Sequence, residues 1–285
     1  MEKICIKNEN NDYQYFETLK RNRTKRYSSK EFFVEGVKNI NEAFKHENGW
    51  DITSLIFSNE VNLSDWAENI ICKYISDNKK LYIIKRDLMR KLSDKEDKES
   101  ASEIIITVKM KNEDIKDLKL SGSSSVLIFD RPSNKGNLGS VIRSCDSFGI
   151  DALILTGHGV DLYDCETIRA SMGSFFKQKI IVEPSFKKIA EWAQEQKSIF
   201  NGLQIYGTSA ETSKPHKILN HETFLSDTPA IAVIGSEATG MSGSFYELCD
   251  ALVRIPMSEN SSADSLNAAC AASILMYEIY KQKNI

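Results

Sequence analysis

The stretch RPSNKGNLGSVIRSCDSFG, residues 131–149, decides how this chain is read. It follows a continuous apolar run, Val126 to Phe129, and leads into a helix over Asn137 to Phe148. Gly136 and Gly139 sit in the strand-to-helix turn with Asn134 and Asn137 beside them, and Arg143 follows further along the helix. Glycines at the end of a buried strand let backbone approach a ligand closely. Alone, the segment also fits an Asn/Gly-rich helix start carrying a surface arginine.

Working outward towards the C-terminus, Ala152 to Leu155, Lys179 to Val182, Leu203 to Tyr206 and Ala230 to Ile234 are short apolar runs bounded by polar residues or glycine. Such runs suit strands of a parallel sheet buried on both faces. The fourth run belongs to IAVIGSEATG, residues 231–240, in which Gly-Ser-Glu and a second glycine follow the strand directly. In IPMSENSSADSLNAACAASILMYEI, residues 255–279, a strand ends at Pro256 and a polar loop precedes a helix. Ser265 or Asp264 can cap that helix. Asn267 at its start needs hydrogen-bond partners if buried. Leu266 to Ile279 is apolar nearly all round, so the helix is expected to be buried.

Towards the N-terminus, residues 111–124 are polar, end in Gly and Ser, and read as a linker. Before them lies a small α/β unit over residues 28–110. Its strands are expected at 32–34, Ile52 to Phe57, Leu81 to Ile84 and Ile104 to Val108. Helical spacing relates Val37, Ile40 and Phe44, then Leu63, Trp66, Ile70 and Tyr74, with Ser64 and Asp65 near the second start and a short helix around Leu88. Residues 1–27 read as a basic extension. Lys20, Arg21, Arg23, Lys25, Arg26 and Lys30 cluster in a short segment at its end, as a solvated arm or a phosphate-binding one.

The chain has 285 residues, 41% hydrophobic and 27% charged, which is enough for two packed α/β domains. Net charge is −3, so any attraction to nucleic acid has to be local. No apolar run suits a signal peptide or membrane span, and a cytoplasmic location is expected. The six cysteines are scattered without a CxxC pair or zinc-finger histidines, so neither a structural metal nor a disulfide framework is expected.

Taken together, NxGNxGxxxR…FG, then GSExxG after a strand, then IPM…SLNxxxAxxxxxYE resembles the SpoU/TrmH-type RNA 2′-O-ribose methyltransferases of the SPOUT superfamily. IRASMGSFFKQKI, residues 168–180, adds to the likeness, which covers roughly residues 123–281. Residues 28–110, with FFVEG leading into a helix, resemble the L30e-like RNA-binding domain that often precedes the catalytic one there. The resemblance implies an α/β-knot domain, a deep trefoil knot, over residues 125–285. Sequence physics alone would draw an ordinary open sheet, since knots are very rare.

It further implies a homodimer that uses S-adenosylmethionine and no metal. The donor would be bound by Thr208, Ser209, Ala210, Ile234, Gly235, Gly240, Ile255, Met257, Ser265 and Leu266. Arg143, Asn137, Glu237, Ser265 and Asn267 would be the catalytic group. Arg143 is the implied base; an arginine that stays protonated would instead clamp phosphate and the developing O2′ charge. Arg21, Arg23, Lys25, Arg26 and Lys135 would meet RNA, with ribosomal RNA favoured over transfer RNA. The sequence departs from the family where Ala238 and Thr239 follow Glu237 in place of the usual glycine. Alternatives are a transfer-RNA methyltransferase, a non-catalytic RNA-binding protein of the same fold, and a nicotinamide oxidoreductase, which would need a GxGxxG turn that is missing.

Overall fold

The computed structural model describes residues 2–76, 79–93, 102–209, 217–218 and 228–284. The chain divides into two compact units: Met1–Lys111 with Asp161–Lys177, and Asn112–Val160 with Gln178–Ile285.

The first unit begins with β1 (Glu2–Ile6), α1 (Asn11–Arg21) and α2 (Arg23–Ser29). β2 (Glu31–Glu35), α3 (Val37–Lys45), β3 (Ile52–Phe57), α4 (Asp65–Ser76), β4 (Lys80–Ile84), α5 (Arg86–Leu92) and β5 (Ile104–Lys109) follow. The sheet order is β1-β4-β3-β5-β2, with β5 antiparallel to both of its neighbours and the other pairs parallel.

Residues 1–27 are therefore not an extension. β1 is an edge strand on β4, and α1 buries Tyr13, Phe16 and Leu19 at helical spacing in the core that also holds Phe33, Ile56 and Leu88. The side chain of Asn10 caps α1 by accepting from Tyr13 N, and that of Asn22 restarts the chain as α2 by accepting from Lys25 N. In α4 the buried stripe is Ala67, Ile71 and Tyr74, because Trp66 lies at the rim, donating from its ring to Asn41 at 2.7 Å.

The second unit starts before the expected strand. Ile115 and Leu118, read as linker, are buried in a core with Ile189 and Trp192. β6 (Ser125–Asp130), α6 (Lys135–Ser147) and β7 (Ala152–Thr156) follow. The chain then contributes α7 (Cys165–Ser171) and a short 3₁₀ turn, Ser174–Phe176, to the first unit. Sequence placed this segment in the second domain. Its Phe175 and Phe176 pack instead around Phe32 and Trp50, whose ring N–H donates to the Phe176 carbonyl at 2.8 Å.

β8 (Ile180–Val182), α8 (Phe186–Ile199), β9 (Ile205–Thr208), β10 (Lys217–Ile218), β11 (Ala230–Ile234), α9 (Gly243–Leu248), β12 (Ala251–Arg254) and α10 (Ala268–Asn284) complete the second unit. The sheet runs β10-β12-β9-β11-β6-β7-β8 and every pair is parallel. β6, β7 and β11 are buried throughout, as their unbroken apolar runs require.

α10 departs from expectation. Ala272, Leu275, Met276 and Ile279 are buried, and Ser273 and Met276 touch Ser144 and Cys145 of α6. On its other side Ile274 (40%), Tyr277 (49%) and Tyr280 stay exposed. An apolar helix buries only the face for which its own fold supplies a partner.

Candidate active site

Three chain turns at the C-terminal ends of β9, β11 and β12 meet the start of α10 around a cavity of about 470 Å3 in the second unit. Thr208, Ser209, Ile234, Gly235, Gly240, Ile255, Met257, Ser265 and Leu266 all line it, with Glu237 and Asn267. Ala210 lies outside the described residues. Sequence reasoning missed Val253, Arg254, Ala268 and Ala271, which also line the cavity. The last strand was expected only from its end at Pro256, so its inner positions carried no separate signal.

The turn after β11 is closed by two backbone hydrogen bonds, Ser236 N to Gly240 O (3.1 Å) and Gly240 N to Ser236 O (2.9 Å). Gly240 adopts φ +65°, and a Cβ on Gly235 would stand 2.1 Å from the Gly240 carbonyl carbon. A side chain at Gly235 would force the turn to move, and one at Gly240 would be strained by its left-handed backbone, so the wall of the cavity there is bare backbone. The buried Asp130 braces this turn from the end of β6. It accepts from Ser242 N at 2.7 Å and from the Thr156 hydroxyl at 2.9 Å, and pairs with Arg131, which in turn donates to Gly240 O at 3.2 Å. Sequence reasoning passed over Asp130 because a lone acid at a strand end carries no spacing signal.

A second cluster ties the motifs together. Glu237 accepts from Asn137 Nδ2 at 2.9 Å, from Ser133 N at 3.0 Å, and through a short bond from the Ser133 hydroxyl. Asn267 Nδ2 donates to Asn137 Oδ1 at 3.2 Å, while Asn267 Oδ1 accepts from Ala269 N and Cys270 N. Asn267 therefore caps α10 itself, displacing Ser265 and Asp264 from that role, and it is exposed rather than buried. Asn134 caps α6 in the same way by accepting from Asn137 N at 2.8 Å, so the helix starts at Lys135. Partial burial alone would push the Glu237 carboxyl up; the bonds from Ser133 and Asn137 outweigh it and hold the carboxyl below the usual glutamate range. A carboxylate occupied in this way is a scaffold anion, poorly suited to accept a proton.

Arg143 is exposed on α6, does not line the cavity, and its side chain makes no hydrogen bond or ion pair among the described residues. Lys135 is half-buried in the first turn of the same helix. In the first unit, Arg21 is exposed and paired with Glu17 at 3.3 Å, Arg23 lies over the Tyr27 ring, and Lys25 over the Tyr15 ring. Arg26 overturns its assignment as an RNA contact. Only 1% exposed, it is held by Asp161 at 2.6 Å, Asp164 at 3.3 Å, and the carbonyls of Leu19 and Lys20. Two carboxylates from the inserted segment consume its charge. Among the described residues no group of three His, Cys, Asp or Glu is placed to hold a metal, and no helix is long and apolar enough to cross a membrane.

Comparison with known proteins gives concordant results. The model of the SpoU rRNA methylase family matches residues 124–277, and that of the SpoU L30e-like domain matches residues 10–106. The second match includes most of the segment that sequence set apart as an extension. The chain is 32% identical to the 23S rRNA (uridine(2479)-2′-O)-methyltransferase of Streptomyces viridochromogenes, over 98% of this chain and 92% of that protein. It is 26% identical to the 23S rRNA (guanosine(2553)-2′-O)-methyltransferase RlmP of Bacillus subtilis strain 168, over 91% of each. Among solved structures, the SpoU methyltransferase AviRb from Streptomyces viridochromogenes in complex with AdoMet superposes with a TM-score of 0.83 at 32% identity, covering 96% of this chain and 98% of that one. An AdoMet-bound rRNA methyltransferase from Sinorhizobium meliloti shares the fold at 22% identity, with a TM-score of 0.82 and 98% of both chains covered.

Proposed function

Because the chain belongs to the SpoU rRNA methylase family, we propose that it transfers a methyl group from S-adenosylmethionine to a ribose 2′-hydroxyl of ribosomal RNA. The observation that carries this reading is the cavity at which two of the three motifs, after β11 and β12, meet the end of β9, while the remaining motif, at the start of α6, is bonded to its rim through Asn137. About 470 Å3 falls in the range of small-molecule sites. The bare backbone of Gly235 and Gly240 suits close approach by a flat, polar ligand, and Ile234, Ile255 and Leu266 suit its apolar parts. Thr208, Ser209 and Ser265 bring hydroxyls for its polar ends.

The donor, when bound, supplies a methyl carbon already activated by a sulfonium. The chain's residues bind, orient and handle charge. The Glu237–Asn137–Asn267 chain of hydrogen bonds fixes the start of α6 against the start of α10, and so sets where the cavity ends. Arg143 acts as a permanent cation on the RNA phosphate and on the charge that develops at O2′, because a guanidinium does not give up its proton in proteins. The hydroxyl proton then leaves to water.

The working form is a cytoplasmic homodimer. The exposed Ile274, Tyr277 and Tyr280 of α10, with Phe148 against both tyrosine rings, support an interface on that face. The turn after β12 and α10 form the knotted end of the domain, a reading supported by family membership. The test is incubation of the protein with methyl-labelled donor and ribosomal RNA, followed by alkaline digestion. Label in alkali-stable dinucleotides is the expected result; label in mononucleotides would make the enzyme a base methyltransferase.

A further inference from the structure

The first unit carries a cavity of its own, about 670 Å3, that the methyl-transfer reading does not use. Val37, Lys38 and Asn39 of α3 line it with Arg169 and Met172 from the α7 segment. Asn39 is 4% exposed; its Nδ2 donates to the Glu35 carbonyl at 3.2 Å, which fixes the amide orientation, and its Oδ1 has no partner among the described residues. A buried acceptor left unpaired in a native fold marks a place for a donor. α3 is preceded by Gly36, with φ +98° and no side-chain cap, so its first amides are not occupied by a cap.

The lips are apolar where a surface is usually polar: Val37 is 52% exposed and Met172 42%. Met172 is also held at φ +52°, a conformation uncommon outside glycine. An acceptor in the wall, apolar lips and, beside a Glu35 carboxylate that Ser93 and Ser102 occupy, two cations and an uncapped helix start match three features of a nucleotide. The base offers an N–H and a flat face, and the phosphate offers negative charge. In a duplex the base N–H groups are paired and the faces stacked, so only an unpaired nucleotide presents all three.

We propose that this cavity holds an unpaired nucleotide of the RNA substrate, with its base against Val37, Met172 and Asn39 and its phosphate at Lys38, Arg169 and the start of α3. The proposal rests on the reading of the chain as an RNA methyltransferase and locates its RNA grip away from the basic segment.

The test is filter binding of the full-length protein to short mixed-sequence RNA, single-stranded or duplex, and to the mononucleotides. The wild type is expected to prefer the single strand. V37E, at an exposed position, is expected to weaken that binding roughly tenfold or more with unchanged donor affinity and unfolding temperature, and N39L to weaken it similarly. Variants that bind like the wild type would overturn the proposal. So would mononucleotides binding as tightly as the oligomer, which would make the cavity a site for a free nucleotide. Because binding is read without turnover, a failure of methyl transfer would sink the reaction and leave this test standing.

Discussion

Two regions hold the densest chemistry in this sequence, and the fold treats them oppositely. The basic segment around residues 20–30 has the strongest charge, and two of its cations are taken into the fold. Arg26 is sealed against Asp161 and Asp164, and Lys20 is tied to the Leu92 carbonyl. The motif turns of the second unit have little charge, yet they converge on one cavity and one hydrogen-bond chain. Charge in a sequence says nothing about which cations face water. A glycine, asparagine or serine at the end of a buried strand carries more information, because few structural reasons favour it there.

That contrast breaks most sharply at Arg26. Arg26→Met leaves two carboxylates, one of them fully buried, without a counter-charge, and should destabilise the first unit by about 3–5 kcal/mol. Urea unfolding of the full chain, followed by Trp fluorescence, reads the loss. If RNA affinity fell and stability held, the arginine would belong with the RNA contacts after all. Next in size is Arg143→Ala. A lost charge clamp should lower turnover by roughly 10²–10³. Donor affinity should not change, since Arg143 does not line the cavity. Single-turnover methyl transfer beside calorimetric donor binding separates the two, and full turnover in the variant would remove Arg143 from the mechanism.

The second unit was the more legible of the two. Buried parallel strands leave unbroken apolar runs, so Ala152 to Leu155 and Ala230 to Ile234 could be read almost residue by residue. The first unit hid β1, α1 and the inserted α7. MEKICIKNENND alternates too little to mark β1, and α1 shows its buried face only once Tyr13, Phe16 and Leu19 are known to meet β2 and β4. The return of Asp161–Lys177 to that unit depends on contacts distant in sequence, Phe32 with Phe175 and Arg26 with Asp161, which no local pattern encodes. Of the candidate site, the cavity-lining turns after β11 and β12 were legible from their motifs. Asp130 was not, because its task is to brace the backbone of the turn after β11.

Gly235→Ala sharpens the claim that small residues report backbone approach. Its Cβ would meet the Gly240 carbonyl carbon at 2.1 Å, so the turn must open. A strain of about 1–3 kcal/mol should weaken donor binding about tenfold or more and leave RNA affinity alone. Unchanged donor binding would mean that this turn is not part of the donor site. A smaller effect belongs to Glu237. Its folded carboxyl titrates below the ordinary value, so its stabilising contribution is complete above the unfolded glutamate range and is lost as pH falls through the folded value. Glu237→Gln should therefore lower stability near neutrality and flatten the acid limb of the stability–pH curve, so that variant and wild type converge as pH falls below the folded value. An unchanged acid limb would show that the bonds from Ser133 and Asn137 do not favour the ionised form.

The smallest expected effect tests what remains of the basic segment. Arg21 and Arg23 are its exposed arginines, one shared with Glu17 and the other lying over Tyr27. Each therefore offers RNA a cation that already has a partner, and exposed charges count for little at physiological salt. Replacing both with alanine should reduce the slope of log affinity against log salt by at most about one unit per arginine, with donor binding and turnover at saturating RNA unchanged. A larger drop would restore the segment as the main electrostatic grip and narrow its contrast with the motif turns. No change in slope would leave Lys38, Lys135 and Arg143, all outside the segment, as the cations that meet the phosphates.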